Sequence, residues 1–239
     1  FRADGSSKFA PNNHWGYFPA GAFAWRISDE GFLKDTQWLD NLKLRLSYGT
    51  SGADNIDPSL WKETWSTSNV TIDGETKTVY KPDGMLSNPD LKWETTTSRN
   101  VGLDFGFLKN RISGTIDAYW NSTKDLLMQV PIDETTGYSY QFQNIGKTSN
   151  KGFEISLAAD LVRSKDFNFN FTATYNYNKN NIDNLMEGVT AQYGSQWAST
   201  ATQPNYDYLF AVGSQVGLIR GYKCDGFYKP SDFDYANGV

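Results

Sequence analysis

The feature that most constrains the fold of this chain is a repeated alternation of apolar and polar side chains. The alternation recurs in six segments, near residues 15–27, 41–50, 97–107, 111–121, 152–162 and 167–178. A period of two residues predicts β-strands with one apolar and one polar face. Each segment is about 9 to 11 residues long, which is the length that a tilted strand needs to cross a bilayer.

The connections between the predicted strands alternate in length. Residues 108–111 and 163–166 form short turns, whereas the connections at 51–96, 122–151 and 179–220 are long. Short turns on one side and long loops on the other are typical of outer-membrane barrels, in which the long loops face the exterior. The pattern therefore predicts an all-β fold: the whole chain forms part of an antiparallel transmembrane β-barrel, with three outer loops in the long connections.

Aromatic residues lie at the predicted outer ends of four strands. Their rings prefer the bilayer interface, because one part of the ring is apolar and another part can hydrogen-bond. Pro19 interrupts the first segment, and since it cannot donate to a sheet ladder we expect it at the outer end of that strand. We predict membrane-interface positions for Trp15, Tyr17, Tyr48, Trp120 and Tyr175.

Composition agrees with a membrane protein built from strands. Aromatic residues make up 15% of the chain, yet the mean hydropathy is only −0.58. A barrel combines these values because its lumen-facing residues are polar. No stretch approaches the roughly 18 to 20 apolar residues of a membrane helix. The net charge of −5 and the scattered basic residues argue against a nucleic-acid partner.

The sequence contains no convincing catalytic or metal-binding constellation. His14 is the only histidine, and Cys224 is the only cysteine. The adjacent carboxylates at 29–30 and 133–134 lie in connections, where we expect solvated charges rather than an acid–base pair. Calcium-loop spacing and glycine-rich phosphate cradles are also missing from the sequence. We therefore predict neither an enzyme nor a bound cofactor or metal.

The candidate ligand-binding residues are aromatic side chains in the predicted outer loops. Flat rings beside Asn, Gln and Ser side chains can stack on sugars or grip a peptide. The alternative is that these rings pack the loops together. The candidates are Trp61, Trp65, Tyr138, Tyr140, Phe142, Tyr193 and Trp197.

Two other architectures are compatible with alternation alone. A soluble or surface-attached β-sandwich that binds glycans also has alternating strands and loops at two ends. A passive porin-like channel would also have alternating strands, but its lumen would hold no plug. Asn168, Asn170, Asn176 and Asn178 favour a barrel over a sandwich, because asparagine is depleted on strand exteriors and suits a wet lumen.

Long stretches of the chain resemble a known family. RADGSSKFAPNNHWGYFPAGAFAWRISDEGFL from Arg2, NLKLRLSYGTSG from Asn41 and NPDLKWETTTSRNVGLDFGFLKNRISGTIDAYWNSTKDLL from Asn88 are similar to the barrel of SusC/RagA-type TonB-dependent importers from Bacteroidetes-like bacteria. NIGKTSNKGFEISL from Asn144, YNYNKNNIDNL from Tyr175 and GYKCDGFYK from Gly221 are also similar to family patterns. The stretches span nearly the whole chain in the expected order.

The resemblance implies a function that alternation cannot reveal. It implies a plugged outer-membrane barrel of about 22 strands that imports oligosaccharides or peptides. A SusD-like surface lipoprotein would cover the pore, and the TonB complex of the inner membrane would supply energy through the plug. We find no TonB box or plug in these residues, so we expect the chain to be one piece of the barrel. The loop aromatics could then also contact the lipoprotein.

Overall fold

The computed structural model describes residues 1–186, 188–194, 207–221, 223, 226, 227 and 229. The strands in this part of the chain are β1 (Arg2–Gly5), β2 (Trp15–Phe18), β3 (Ala20–Arg26), β4 (Leu39–Ala53), β5 (Trp65–Ile72), β6 (Glu75–Pro82), β7 (Met85–Leu86), β8 (Glu94–Phe107), β9 (Ile112–Pro131), β10 (Tyr140–Arg163), β11 (Asn168–Asn184), β12 (Ala191–Gly194), β13 (Tyr208–Ala211) and β14 (Leu218–Ile219). In the described ranges, no helix is long and apolar enough to cross a membrane.

One large sheet contains all the long strands. Its order is β11-β10-β9-β8-β4-β3, and every neighbouring pair in this path is antiparallel. The short strand β7 adds to β10 in parallel orientation. Strands β1 and β2 form a separate pair, β5 and β6 form a hairpin, and β12 to β14 form a small sheet. The predicted all-β, antiparallel architecture is therefore confirmed.

The strand register places apolar residues side by side across the large sheet. One lateral row, read from β3 to β11, contains Trp25, Leu44, Leu103, Ile116, Ile155 and Tyr175. The neighbouring row contains Phe23, Leu46, Val101, Ala118, Phe153 and Tyr177. Because side chains alternate between faces, the intervening rows lie on the opposite face. One face of the sheet is thus a continuous apolar band.

The apolar band is uncovered, which contradicts the sandwich alternative. A sandwich buries this face against a second sheet. Here Phe23, Tyr175 and Tyr177 are 58%, 57% and 49% exposed. The sandwich interpretation is therefore wrong for the described residues. The exposed band is the lipid-facing surface expected of a barrel wall, whose outer face is apolar.

The predicted outer loop at 122–151 is largely strand. Residues 122–131 continue β9, and residues 140–151 form the first half of β10. The alternation stops after Trp120, because residues 121–124 are Asn, Ser, Thr and Lys. A strand that is exposed to water on both faces does not need an apolar face. The loop that remains here spans only 132–139.

The first predicted strand, 15–27, is two strands. Strand β2 ends at Phe18 and β3 begins at Ala20, and β2 pairs with β1 rather than with the large sheet. Pro19 separates them because it has no backbone N–H to donate. Its carbonyl still accepts the backbone N–H of Thr50 at 2.9 Å.

The short turns differ in how they reverse the chain. Leu108, Lys109 and Asn110 all have positive φ, between 53° and 58°. Asp73 and Gly74 have φ of 53° and 79° and connect β5 to β6 in a hairpin. Two consecutive positive φ angles are the requirement of a type I′ turn, which Asp-Gly satisfies well.

A small hydrophobic core lies among the outer connections rather than in the large sheet. Phe9, Leu60, Met85 and Leu91 form this loop core, and Phe9 and Leu91 are fully buried. Phe9 lies between β1 and β2, whereas the other three residues belong to the long connection between β4 and β8, Met85 among them on β7. These segments pack together against Leu127 of β9 and against Tyr140 and Phe142 of β10.

Candidate functional site

The polar face of the large sheet carries an ion-pair network. Arg45 on β4 donates from Nε to Asp104 Oδ1 on β8 at 2.8 Å. Its Nη2 donates to both carboxylate oxygens of Asp117 on β9, at 2.9 and 3.1 Å. Lys43 Nζ lies 3.9 Å from Asp104 Oδ2. One guanidinium thus connects three strands on the face that lines the lumen of a barrel.

The polar face continues with uncharged hydrogen-bonding groups. Asn100 donates to Ser47 Oγ at 3.1 Å, and the Tyr119 hydroxyl donates to Asn178 at 2.9 Å. Asn121 and Asn150 are register partners on β9 and β10, and each has a buried side-chain oxygen that meets no hydrogen-bond donor in the part of the chain that the structure describes. A face of amides, hydroxyls and paired charges is suited to water, polar solutes or another polar protein surface.

Two of the predicted ligand-binding aromatics pack on the loop core. Tyr140 and Phe142 both contact that core, and their rings meet edge to face at 6.0 Å. Both side chains are partly buried. Their immediate role is to fix β10 against the outer connections, which is the packing role weighed above.

Tyr138 and Trp61 belong to a second loop contact. The Tyr138 hydroxyl donates to Glu63 Oε1 at 3.2 Å and so joins the 132–139 loop to the segment before β5. Partial burial and this hydrogen bond raise the pKa of Tyr138 above its ordinary value of 10.0. Lys62 Nζ lies 4.8 Å from the ring centroid of Trp61, a cation–π contact. Within the described residues, the indole N–H of Trp61 is buried and has no hydrogen-bond partner.

Trp65 is exposed, whereas Trp61, Tyr138, Tyr140 and Phe142 are partly buried. It begins β5 and is 57% exposed. Tyr193 lies on β12, but its side chain, like the whole of Trp197, lies outside the described part of the structure. The hydrogen bond to Glu63 brings Tyr138 to the segment that contains Trp61 and Trp65, while their role as ligand contacts stays a prediction.

The predicted membrane-interface aromatics occupy different parts of the fold. Tyr48 and Trp120 lie in one lateral row at the edge of the apolar band, where Arg99 separates them. Tyr175 lies within the band, opposite Ile155. Trp15 and Tyr17 lie on β2, outside the large sheet, and are 62% and 63% exposed. Their contact with the interface remains a prediction.

Sequence reasoning missed the aromatic centre that connects the N-terminal strands to β8. Trp93 packs against Phe9 and Phe18, at ring-centroid distances of 5.4 and 5.6 Å. Its indole N–H donates to the carbonyl of His14 at 3.2 Å. Trp93 precedes β8 by one residue, outside every alternating segment, so alternation gave no signal for it.

Metal binding is not supported in the part of the chain that the structure describes. There, no group of three or more His, Cys, Asp or Glu side chains could hold a metal ion.

The architecture matches an established family. The family model described as TonB dependent receptor-like, beta-barrel matches residues 1–235. The chain belongs to this family of TonB-dependent receptor barrels. The resemblance inferred from the sequence motifs is therefore confirmed.

Curated relatives place the chain among SusC-like members of the family. It is 40% identical over 240 residues to TonB-dependent receptor P26 of Formosa agariphila, covering 100% of this chain and 24% of that protein. It is 41% identical over 198 residues to TonB-dependent receptor SusC of Bacteroides thetaiotaomicron, covering 80% of this chain and 20% of that protein. The chain thus spans a quarter or less of the length of these relatives.

Solved structures give the same result for the fold. The RagAB peptide transporter matches with a TM-score of 0.70 and 30% identity, over 88% of this chain and 22% of that chain. The RagAB peptide importer in its open-open state matches with a TM-score of 0.73, over 87% of this chain and 21% of that chain. The sheet is therefore a SusC/RagA-type segment of a TonB-dependent receptor barrel.

Proposed function

We propose that the protein containing this chain imports oligosaccharides or peptides across the outer membrane. This chain supplies part of the barrel wall and several outer connections. The single observation that carries the proposal is the sheet's division into two faces: one is a continuous apolar band, and the other carries the Arg45 network and rows of amides. Such a sheet suits lipid on one side and an aqueous, plugged lumen on the other.

The outer connections and the polar face of the sheet would have separate tasks during import. Ligand would be captured by the outer connections, where Trp65 is exposed and Trp61 and Tyr138 lie near Glu63. A SusD-like lipoprotein would cover the pore from outside. Energy from the TonB complex would move the plug, and the polar face of the sheet would present exchangeable hydrogen bonds to it.

The choice of import over passive diffusion is supported by the family. TonB-dependent receptors form the matching family, and the RagAB structures are those of a peptide transporter and importer. RagAB supports peptides as the solute, whereas oligosaccharides come from the resemblance of the sequence motifs to SusC/RagA-type importers. Each solute class is therefore one arm of the test.

The test is solute uptake by cells that carry the full-length protein, a deletion of its gene, or an inactivated TonB complex. We expect uptake of labelled oligosaccharides or labelled peptides to require both the gene and TonB. The purified protein should also migrate as a compact band before boiling and shift on heating, as a closed barrel does. Uptake that is independent of TonB would instead indicate a passive channel. A soluble protein without a heat shift would contradict the barrel itself.

A further inference from the structure

A row of basic residues borders the apolar band on three strands. The lateral row next to Phe23, Leu46 and Val101 contains Gly21, Tyr48, Arg99, Trp120, Lys151 and Lys179, from β3 to β11. Its members lie on the same face as the band, because they are two residues further along each strand. The three basic residues of this row, Arg99, Lys151 and Lys179, are called the basic row below. All three are exposed.

The basic row is not paired with carboxylates in the described part of the chain. Among the described residues, none of its three members forms an ion pair, whereas Arg45 and Arg163 each pair with a carboxylate. Lys151 and Lys179 are direct register partners on β10 and β11. Like charges directly opposite each other destabilise a sheet. An external anion bound here would remove that repulsion.

The surface at the basic row is concave and rich in hydrogen-bond donors. A depression of about 410 Å³ is lined by the basic row together with Trp120, Ser122, Ser149 and Asn181. The one carboxylate in its lining is Asp183, which accepts hydrogen bonds from Ser149 Oγ at 2.8 Å and from Asn181 Nδ2 at 2.7 Å. Asp183 forms no ion pair with the basic row among the described residues, and three cations against one carboxylate leave the lining with an excess of positive charge.

The aromatic residues in this lateral row indicate which part of a membrane would contact the row. Arg99 lies over the Tyr48 ring, 5.8 Å from its centroid, and Tyr48 and Trp120 are 50% and 46% exposed. Exposed aromatics between an apolar band and cations match a boundary between acyl chains and headgroups. Each cation near an anionic lipid surface contributes about 1 kcal/mol of attraction.

We propose that the basic row binds the phosphate of a phosphorylated glycolipid in the outer leaflet, with its acyl chains lying along the apolar band. The inference rests on the proposed location in the outer membrane. Charge complementarity selects the phosphate, and the adjoining band selects a lipid over a free ion. The occupied site would fix the barrel's position in the membrane and offset the repulsion between Lys151 and Lys179.

The test uses the full-length protein purified in a mild non-ionic detergent. Native mass spectrometry would count molecules of a bis-phosphorylated glycolipid and of its enzymatically dephosphorylated form retained on each protein. We expect the wild type to prefer the phosphorylated form at least tenfold. The triple variant Arg99→Gln/Lys151→Gln/Lys179→Gln should lose roughly a hundredfold in affinity, given about fivefold for each cation. Lys165→Gln, in the turn between β10 and β11, is the control and should bind as the wild type does.

The outcomes separate this inference from the proposed function. Equal lipid retention by the wild type and the triple variant would overturn the inference, provided that both show the heat-dependent band shift. Displacement of the lipid by millimolar inorganic phosphate would also overturn it, because the site would then be one for a free anion. Absence of the wild-type protein from the outer membrane would instead overturn the proposed function.

Discussion

Arg45 and Asp117 form an ion pair across an intervening strand, because Gly102 between them has no side chain. Arg45, Gly102 and Asp117 are register neighbours on β4, β8 and β9. A Cβ atom at Gly102 would lie 2.7 Å from the Arg45 guanidinium carbon and would also collide with the Asp117 carboxylate. The glycine therefore permits a connection between strands that do not pair directly.

Substituting this glycine should break the connection. We expect Gly102→Ala to lower the stability of the full-length barrel by about 1 kcal/mol, because the pair is partly exposed. The measurement is the midpoint temperature of the band shift on heating. Gly21→Ala is the matched control, since a Cβ there meets nothing within 4 Å. In an Arg45→Ala/Asp117→Ala background, which removes both side chains that the added Cβ would meet, Gly102→Ala should have little further effect; an undiminished effect would show that the glycine acts independently of the ion pair.

A basic residue should be tolerated on one face of β9 and not on the other. Ile116 belongs to the apolar band, and its neighbour Thr115 lies on the polar face opposite Asp104. We expect Ile116→Lys to cost about 2 to 4 kcal/mol, as a lysine does on a lipid-facing surface near the bilayer midplane. Thr115→Lys should assemble normally. The amount of heat-shifting protein in outer-membrane fractions would be measured for both variants. Equal amounts would contradict the assignment of Ile116 to the lipid-facing side and of Thr115 to the polar side.

Substitutions of exposed and of buried residues in the outer connections should have different effects. We expect Trp65→Ala to reduce solute uptake while leaving the protease resistance of the outer connections intact, because Trp65 is 57% exposed. Leu91→Ala should make those connections protease-sensitive, at a cost of about 2 to 5 kcal/mol, because Leu91 is fully buried in the loop core. Normal uptake by Trp65→Ala would remove this residue from the candidate ligand contacts.

The loop contact between Tyr138 and Glu63 should be lost only in alkaline solution. The pKa of Tyr138 is raised, so its contribution to stability is complete below the ordinary value of 10.0 and disappears as the pH rises through the higher folded value. We expect proteinase K cleavage within residues 132–139 to increase over that range in the wild type. Tyr138→Phe should lack this increase, and identical pH profiles would contradict the contact.

The parts of the fold that alternation predicted are those where lipid and water act on opposite faces of a strand. The period of two is a local signal, and it located the membrane-facing rows of β4, β8, β9, β10 and β11. It failed at 122–131 because four polar residues, 122–125, are followed by three consecutive apolar residues, 126–128, so that no alternation is present. It also could not find the loop core, since Phe9, Leu60, Met85 and Leu91 meet only through long-range packing.

The candidate site was less predictable than the fold for the same reason. Aromatic residues in polar connections were recognisable, but which of them face solvent depends on contacts between distant segments. Tyr140 and Phe142 pack on the loop core, whereas Trp65 stays exposed. A period of two assigns Arg45, Asp104 and Asp117 to one face, but it does not show that the Arg45 guanidinium reaches both carboxylates.

The central claim is that this sheet separates lipid from a wet lumen, and a spin-label scan of residues 115–120 on β9 tests it most directly. Nitroxide labels would be placed singly at these positions in the full-length protein, reconstituted in lipid bilayers. We expect labels at Ile116, Ala118 and Trp120 to be accessible to oxygen and shielded from a water-soluble nickel complex. Labels at the intervening positions should show the reverse. Equal access to the nickel complex at all six positions would contradict the account.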